Sequence, residues 1–142
     1  MLFCVIDVRR CPNGALYSSI SDMAVFMSAI QPGSEVGLLS KESIAAMTTA
    51  QVNTADAVAT SAAVDGPPGQ AKNSYGFGTM VNELPGESTV VGHGGAVAGY
   101  NAWFGFEIQT GYGIIICRSY SPGTTQLGAV ATKLLRQIAA HN

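Results

Sequence analysis

The chain has 142 residues and a net charge of −2, with only 11% charged side chains and 47% apolar ones, against a charged share of about 25% in a typical soluble domain. That length suits one domain with its own core. The lack of any Lys or Arg run argues against a nucleic-acid-binding face, and no apolar run reaches the roughly 18–20 residues of a membrane span. So few charges leave apolar surface either exposed or covered by a partner or a further segment. Cys4, Cys11 and Cys117 are widely spaced, odd in number and form no CxxC pair, so they are expected to be free thiols.

The chain opens with the apolar Met1-Leu2-Phe3-Cys4-Val5-Ile6, which suits a buried strand or a remnant of something longer. Cys11-Pro12-Asn13-Gly14 follows as a turn signal. Ser19-Ile20-Ser21-Asp22 is patterned as a capping box. Met23, Phe26, Met27 and Ile30 then recur at helical spacing until Pro32-Gly33 ends the helix. Ser40 is the expected N-cap of a second, short helix reaching Met47. Thr48 to Lys72, rich in Ala, Thr, Val, Gly and Pro, predicts a long loop.

From Tyr75 the pattern turns to β. Tyr75-Gly76-Phe77-Gly78-Thr79-Met80-Val81 alternates large and small residues and predicts one strand. Leu84-Pro85-Gly86 predicts a turn, and Ser88 to Val91 a short strand. Tyr100 to Phe106 places Tyr100, Ala102, Phe104 and Phe106 on one face and Trp103 with Gly105 on the other. Gln109-Thr110-Gly111 turns the chain into Tyr112 to Cys117, whose consecutive apolar residues predict a strand buried on both faces. The two strands read as an antiparallel hairpin in the middle of a sheet. Leu127, Val130, Ala131, Leu134, Leu135 and Ile138 mark an amphipathic helix, with Lys133, Arg136 and Gln137 on its polar side and Thr124 or Thr125 as its cap. The expected fold class is α+β, an antiparallel sheet flanked by helices.

The chemistry-bearing stretch is Val90-Val91-Gly92-His93-Gly94-Gly95-Ala96-Val97-Ala98-Gly99-Tyr100, with four glycines within eight residues. Alone it also suits a glycine-rich β-turn with one solvated His. Glycines beside a polar His, at a strand end, let ligand and backbone amides approach closely. A metal site has little support, since His93 and His141 are the only histidines.

Order and motifs together resemble the serine β-lactamase-like family, which includes class C β-lactamases, D-alanyl-D-alanine carboxypeptidases, esterases and acyltransferases. Gly14 to Phe26 is similar to its glycine turn and capped helix, and Leu38-Leu39-Ser40-Lys41-Glu42-Ser43 to Met47-Thr48 to its next short helix. Tyr75-Gly76-Phe77-Gly78 resembles the entry to its sheet. Gly92-His93-Gly94-Gly95 resembles its third active-site motif in the His-x-Gly form, and Phe104 to Ile116 the hairpin after it. The resemblance spans residues 14–140, with 1–13 atypical, and implies a single partial domain over 1–142, an incomplete β-lactamase/transpeptidase-like fold. It corresponds to about the last third of the family pattern.

The resemblance implies roles at four positions. His93, in place of the Lys of Lys-Thr-Gly, would position a substrate carboxylate or donate a hydrogen bond near the nucleophile. Gly94 stands where Thr often does, so a hydroxyl contact is lost. Gly95 lets substrate backbone approach, and the Ala96 N–H would be an oxyanion donor. No catalytic residue, cofactor or metal is implied for this chain, because neither Ser-x-x-Lys nor Tyr-x-Asn or Ser-x-Asn occurs in it.

The expected function is the C-terminal part of a serine hydrolase or acyltransferase that does not act alone. A small-molecule acyl substrate would bind once a missing segment completes the site. The alternative is a truncated product or a small α+β interaction module, self-associating through an uncovered sheet edge. His-Gly-Gly-Ala is also similar to the oxyanion loop of lipase-type α/β-hydrolases. Those need a downstream Gly-x-Ser-x-Gly, whereas the nearest string, Gly86-Glu87-Ser88-Thr89-Val90, lies upstream and ends in Val.

Overall fold

The computed structural model describes residues 16–53, 72–83, 86–97, 99–119 and 126–141. The expected N-terminal strand, the turn at Cys11 to Gly14, Cys4, Cys11 and the caps Thr124 and Thr125 lie outside the described residues. Among the described residues three helices, α1 (Ile20–Ala29), α2 (Lys41–Thr48) and α3 (Leu127–Ala139), accompany six strands: β1 (Val52–Asn53), β2 (Lys72–Tyr75), β3 (Met80–Glu83), β4 (Val90–Val97), β5 (Tyr100–Glu107) and β6 (Gly113–Arg118). The strands form one antiparallel sheet in chain order, β1 to β6. The fold is therefore α+β, as the alternation of patterns predicts, and each strand pairs with its neighbour in sequence.

The two outer helices cover opposite faces. Ser19 caps α1 by accepting from the Asp22 N–H at 3.1 Å, and its hydroxyl donates to the Asp22 carboxylate at 2.9 Å. Met27 and Ile30 of that segment pack with Val81, Val91 and Phe106 into one core cluster. On the other face Val90, Trp103, Ala131 and Leu135 form the second. The alternation expected along Tyr100 to Phe106 holds, with Phe106 against α1 and Trp103 against α3.

Several expectations change. The long loop expected from Thr48 contains β1 at Val52–Asn53, and residues 54–71 lie outside the described residues. The single strand expected over Tyr75 to Val81 is instead the end of β2, a corner at Gly76 to Thr79 and the start of β3. The Gly76 N–H donates to Thr79 O at 2.9 Å, and Gly78 takes φ +80°. Large–small alternation there marks a hairpin corner rather than a pleated strand.

The corner is held by α2, whose end needs donors for its last carbonyls. The Phe77 N–H donates to Ala46 O at 3.3 Å and the Thr79 hydroxyl to Met47 O. Gly76 sits so close to Met47 that a Cβ would fall 2.1 Å from its carbonyl oxygen.

The hairpin β5–β6 forms as expected, but β6 is the outer strand of the described sheet rather than a central one. Its consecutive apolar residues arise because α1 and α3 both reach it from opposite faces. Ile114, Ile115 and Ile116 are half-buried and Cys117 is an exposed free thiol.

Two polar groups lock the end of the sheet far from the Gly95–Ala96 segment. Glu107 is fully buried at the β5–β6 turn, and its carboxylate accepts from the Gln109 N–H at 2.8 Å, the Thr110 N–H at 2.7 Å and the Thr110 hydroxyl at 2.6 Å. Burial raises its pKa, but the hydrogen bonds from Thr110 and Gln109 outweigh burial and hold the carboxyl below its ordinary 4.5.

Arg136, expected on the solvent side of α3, instead folds back. It donates to Ser88 O at 3.3 Å and Asn82 O at 3.2 Å, and pairs with half-exposed Glu87 at 3.3 Å. The buried face of α3 is Ala131, Thr132 and Leu135, while Val130 and Leu134 remain nearly half exposed. Gln126 is the N-cap residue of α3, with no side-chain cap bond.

Candidate functional site

The glycine-rich stretch is not a turn. Val90 to Val97 is one eight-residue strand, and the turn comes after it, where Gly99 takes φ +85°. β4 pairs with β5 along its whole length, from Val90↔Glu107 to Val97↔Tyr100. On its other side β3 begins at Met80, opposite Gly92. Among the described residues no strand lies beside His93 to Val97 on that side.

Which peptide groups face the open side follows from the ladder. Ile108 N–H donates to Thr89 O and Glu107 N–H to Tyr112 O. Bonding direction alternates along a strand. Stepping from Thr89 in twos, the N–H and C=O of Val91, His93 and Gly95 point to β5. Those of Gly92, Gly94 and Ala96 point away from it. Gly92 meets Met80; Gly94 and Ala96 meet the open side.

The Gly95–Ala96 peptide has a further brace. With its amide turned as its neighbours require, Asn101 donates to Gly95 O at 3.2 Å and accepts from Arg118 at 2.7 Å. Holding the Gly95 carbonyl towards β5 directs the Ala96 N–H of the same trans peptide outwards.

The glycines divide by face. Gly92 and Gly94 share a face with Trp103, whose indole lies over them. A Cβ would fall 2.9 Å from the indole at Gly92, 2.9 Å at Gly94, 2.3 Å at Gly105 and 2.9 Å at Gly128 of α3. Trp103, 5% exposed, thus lies in a cradle of four glycines. The lack of a side chain at Gly94, read from the sequence as a lost hydroxyl contact, has a packing cause: no threonine fits under this indole. Gly95 faces the other way and has nothing within 4 Å of a Cβ.

His93 is half-buried, on the face of Val91 and opposite Phe104. Its Nε2 lies 2.7 Å from the Tyr75 hydroxyl, and the two rings meet edge to face at 5.9 Å. Tyr75 ends β2, two strands away, and its ring reaches His93 past the start of β3. The α2-held corner at Gly76 to Thr79 makes that reach feasible.

The sequence brings His93, Gly94, Gly95 and Ala96 together because they are contiguous. Tyr75, Asn101 and Trp103 were not legible as their partners. The nearest signal was a polar-tipped aromatic directly before a glycine turn. A groove of about 550 Å³ between Gly86 to Ser88, Gln109 to Thr110 and the second half of α3 lies at the opposite end of the sheet and includes none of these residues.

The arrangement offers two outward peptide groups, one imidazole and open space at Gly95. It suits an extended or carbonyl-bearing ligand laid along a strand edge. No helix among the described residues is long and apolar enough to cross a membrane. Neither a curated protein nor a solved structure matches the chain. The family model described as Beta-lactamase matches residues 5–138, which is nearly the whole chain. The chain belongs to the Beta-lactamase family, and is thereby a serine-hydrolase-like protein.

Proposed function

We propose that this chain supplies the substrate-side wall of an acyl-transfer cleft in a serine hydrolase or acyltransferase. The observation that carries the proposal is the open edge of β4, where the Gly94 and Ala96 peptide groups point away from β5 beside His93. In acyl transfer a nucleophile adds to a carbonyl and negative charge develops on its oxygen. The Ala96 N–H is a fixed donor for that charge, and loss of such a donor costs about 3 kcal/mol of transition-state stabilisation. Gly95 leaves room for the acyl chain, and His93 donates to an acceptor oxygen on the substrate.

The serine and lysine of Ser-x-x-Lys do not occur in these 142 residues. The chain by itself is therefore assigned binding, not turnover. Two measurements test this. Titration with N-acetyl-D-alanine, which carries an amide carbonyl and a carboxylate, is expected to shift the amide signals of Gly94 and Ala96 and leave Gly92 in place; unmoved Gly94 and Ala96 contradict the wall. Mass spectrometry after a fluorophosphonate is expected to find no serine adduct. An adduct lost in His93→Ala would make the chain an enzyme in its own right.

A second reading, an interaction module, is favoured by the exposed apolar side chains of Leu16, Tyr17, Ile20 and Val25 on and before α1. It predicts association of the isolated chain. A monodisperse monomer in light scattering opposes it.

A further inference from the structure

We infer that Tyr75 is a positioning residue that fixes the tautomer of His93, so that Nε2 accepts from the phenol and the proton sits on Nδ1. The inference rests on the acyl-site reading for its purpose, but not for its test. At 2.7 Å one of the two atoms must donate. A phenol is a good donor and a poor acceptor, whereas an unprotonated imidazole nitrogen is a strong acceptor, so the favoured arrangement is Tyr75 O–H donating to Nε2. The reverse arrangement would leave the half-buried phenol O–H needing an acceptor. Among the described residues, its hydrogen-bond partner is His93.

The bond made by one ring nitrogen sets the protonation of the other. Nδ1–H is then the free donor of His93, with no hydrogen-bond partner among the described residues. The edge-to-face packing of the two rings limits rotation of the imidazole. The group beside Gly95 is thereby a directed donor for a carbonyl or carboxylate oxygen. A lysine at this position would instead act as a mobile point charge. His93 therefore selects ligands by an acceptor oxygen in fixed geometry, with ester and amide carbonyls as fitting occupants.

The test is the imidazole ¹⁵N spectrum of the full chain, uniformly ¹⁵N-labelled, at a pH where the rings are neutral and with no ligand present. His93→Gln assigns the ring signals, separating them from those of His141. In the unmodified chain the Nδ1–H form of His93 is expected to predominate, against the Nε2–H preference of histidine free in water. Tyr75→Phe, which keeps the ring but removes the hydroxyl, is expected to reverse the ratio while the backbone amide spectrum stays native-like. A predominant Nε2–H form in the unmodified chain overturns the inference, even if Tyr75→Phe fails to fold. An unchanged ratio in a folded Tyr75→Phe chain overturns it too. Because no ligand is present, a reversed ratio with no response to N-acetyl-D-alanine keeps the Tyr75–His93 pair and removes the acyl-site reading.

Discussion

Among the described residues, Val90, Val91 and Gly92 lie between two strands, while His93 to Val97 lie beside one. The closed half of β4 is buried: Val90 and Val91 sit in opposite cores, and Gly92 admits both the Trp103 indole and the β5 backbone. The open half is exposed from Gly95 onwards and presents peptide groups to no protein partner among the described residues. Neighbouring glycines therefore serve different ends. Gly92 and Gly94 make room for the Trp103 indole, whereas a Cβ at Gly95 would meet nothing within 4 Å. A strand can be paired on both sides at one end and on one side at the other when its neighbour stops early.

Five substitutions sharpen or break that contrast. Gly92→Ala drives a Cβ to 2.3 Å from the Phe104 carbonyl oxygen and 2.8 Å from the Gly105 Cα. Backbone cannot yield as a side chain can, so a loss of about 3 kcal/mol is expected in urea denaturation. Glu107→Gln places an amide N–H₂ among three donors that a carboxylate now satisfies, for about 2 kcal/mol. Because the folded carboxyl titrates below 4.5, the stability it contributes is complete above the unfolded value and is lost as pH falls through the folded one. A series of denaturation curves on the acid side should show this decline in the unmodified chain and a shallower one in Glu107→Gln.

Arg136→Ala removes donors from Ser88 O and Asn82 O, beside the closed half, and should cost about 1–2 kcal/mol. Glu87→Gln should cost no more than about 0.5 kcal/mol, since that carboxylate is half-exposed. Gly95→Ala, with open space around its Cβ, should stay within about 0.5 kcal/mol of the unmodified chain. It should nonetheless weaken N-acetyl-D-alanine binding. A large loss of stability at Gly95 would erase the distinction between the two halves.

What could be read from the sequence was local. Ser19 and Ser40 cap α1 and α2 as patterned, because a cap needs only residues within one turn. Phe104, Phe106 and Trp103 fall on the expected faces because pleating fixes them. The helical stripe of α3 placed the helix but misjudged Arg136, whose length lets it reach the β3–β4 connection. The corner at Gly76 to Thr79 was misread as a strand because its cause is the end of α2, some thirty residues earlier. The candidate residues His93, Gly94, Gly95 and Ala96 could be named from the motif, yet their neighbours in space could not. Tyr75 and Trp103 act on those four residues through strand order and register, which no spacing within the motif encodes.

The most direct test of the open edge is amide hydrogen exchange along β4. Gly92 and Gly95 should be protected, since their N–H groups face β3 and β5, whereas Gly94 and Ala96 should exchange at least tenfold faster. Protection of Gly94 and Ala96 equal to that of Gly92 would mean that both sides of β4 are closed, and the edge assigned to a ligand would not exist.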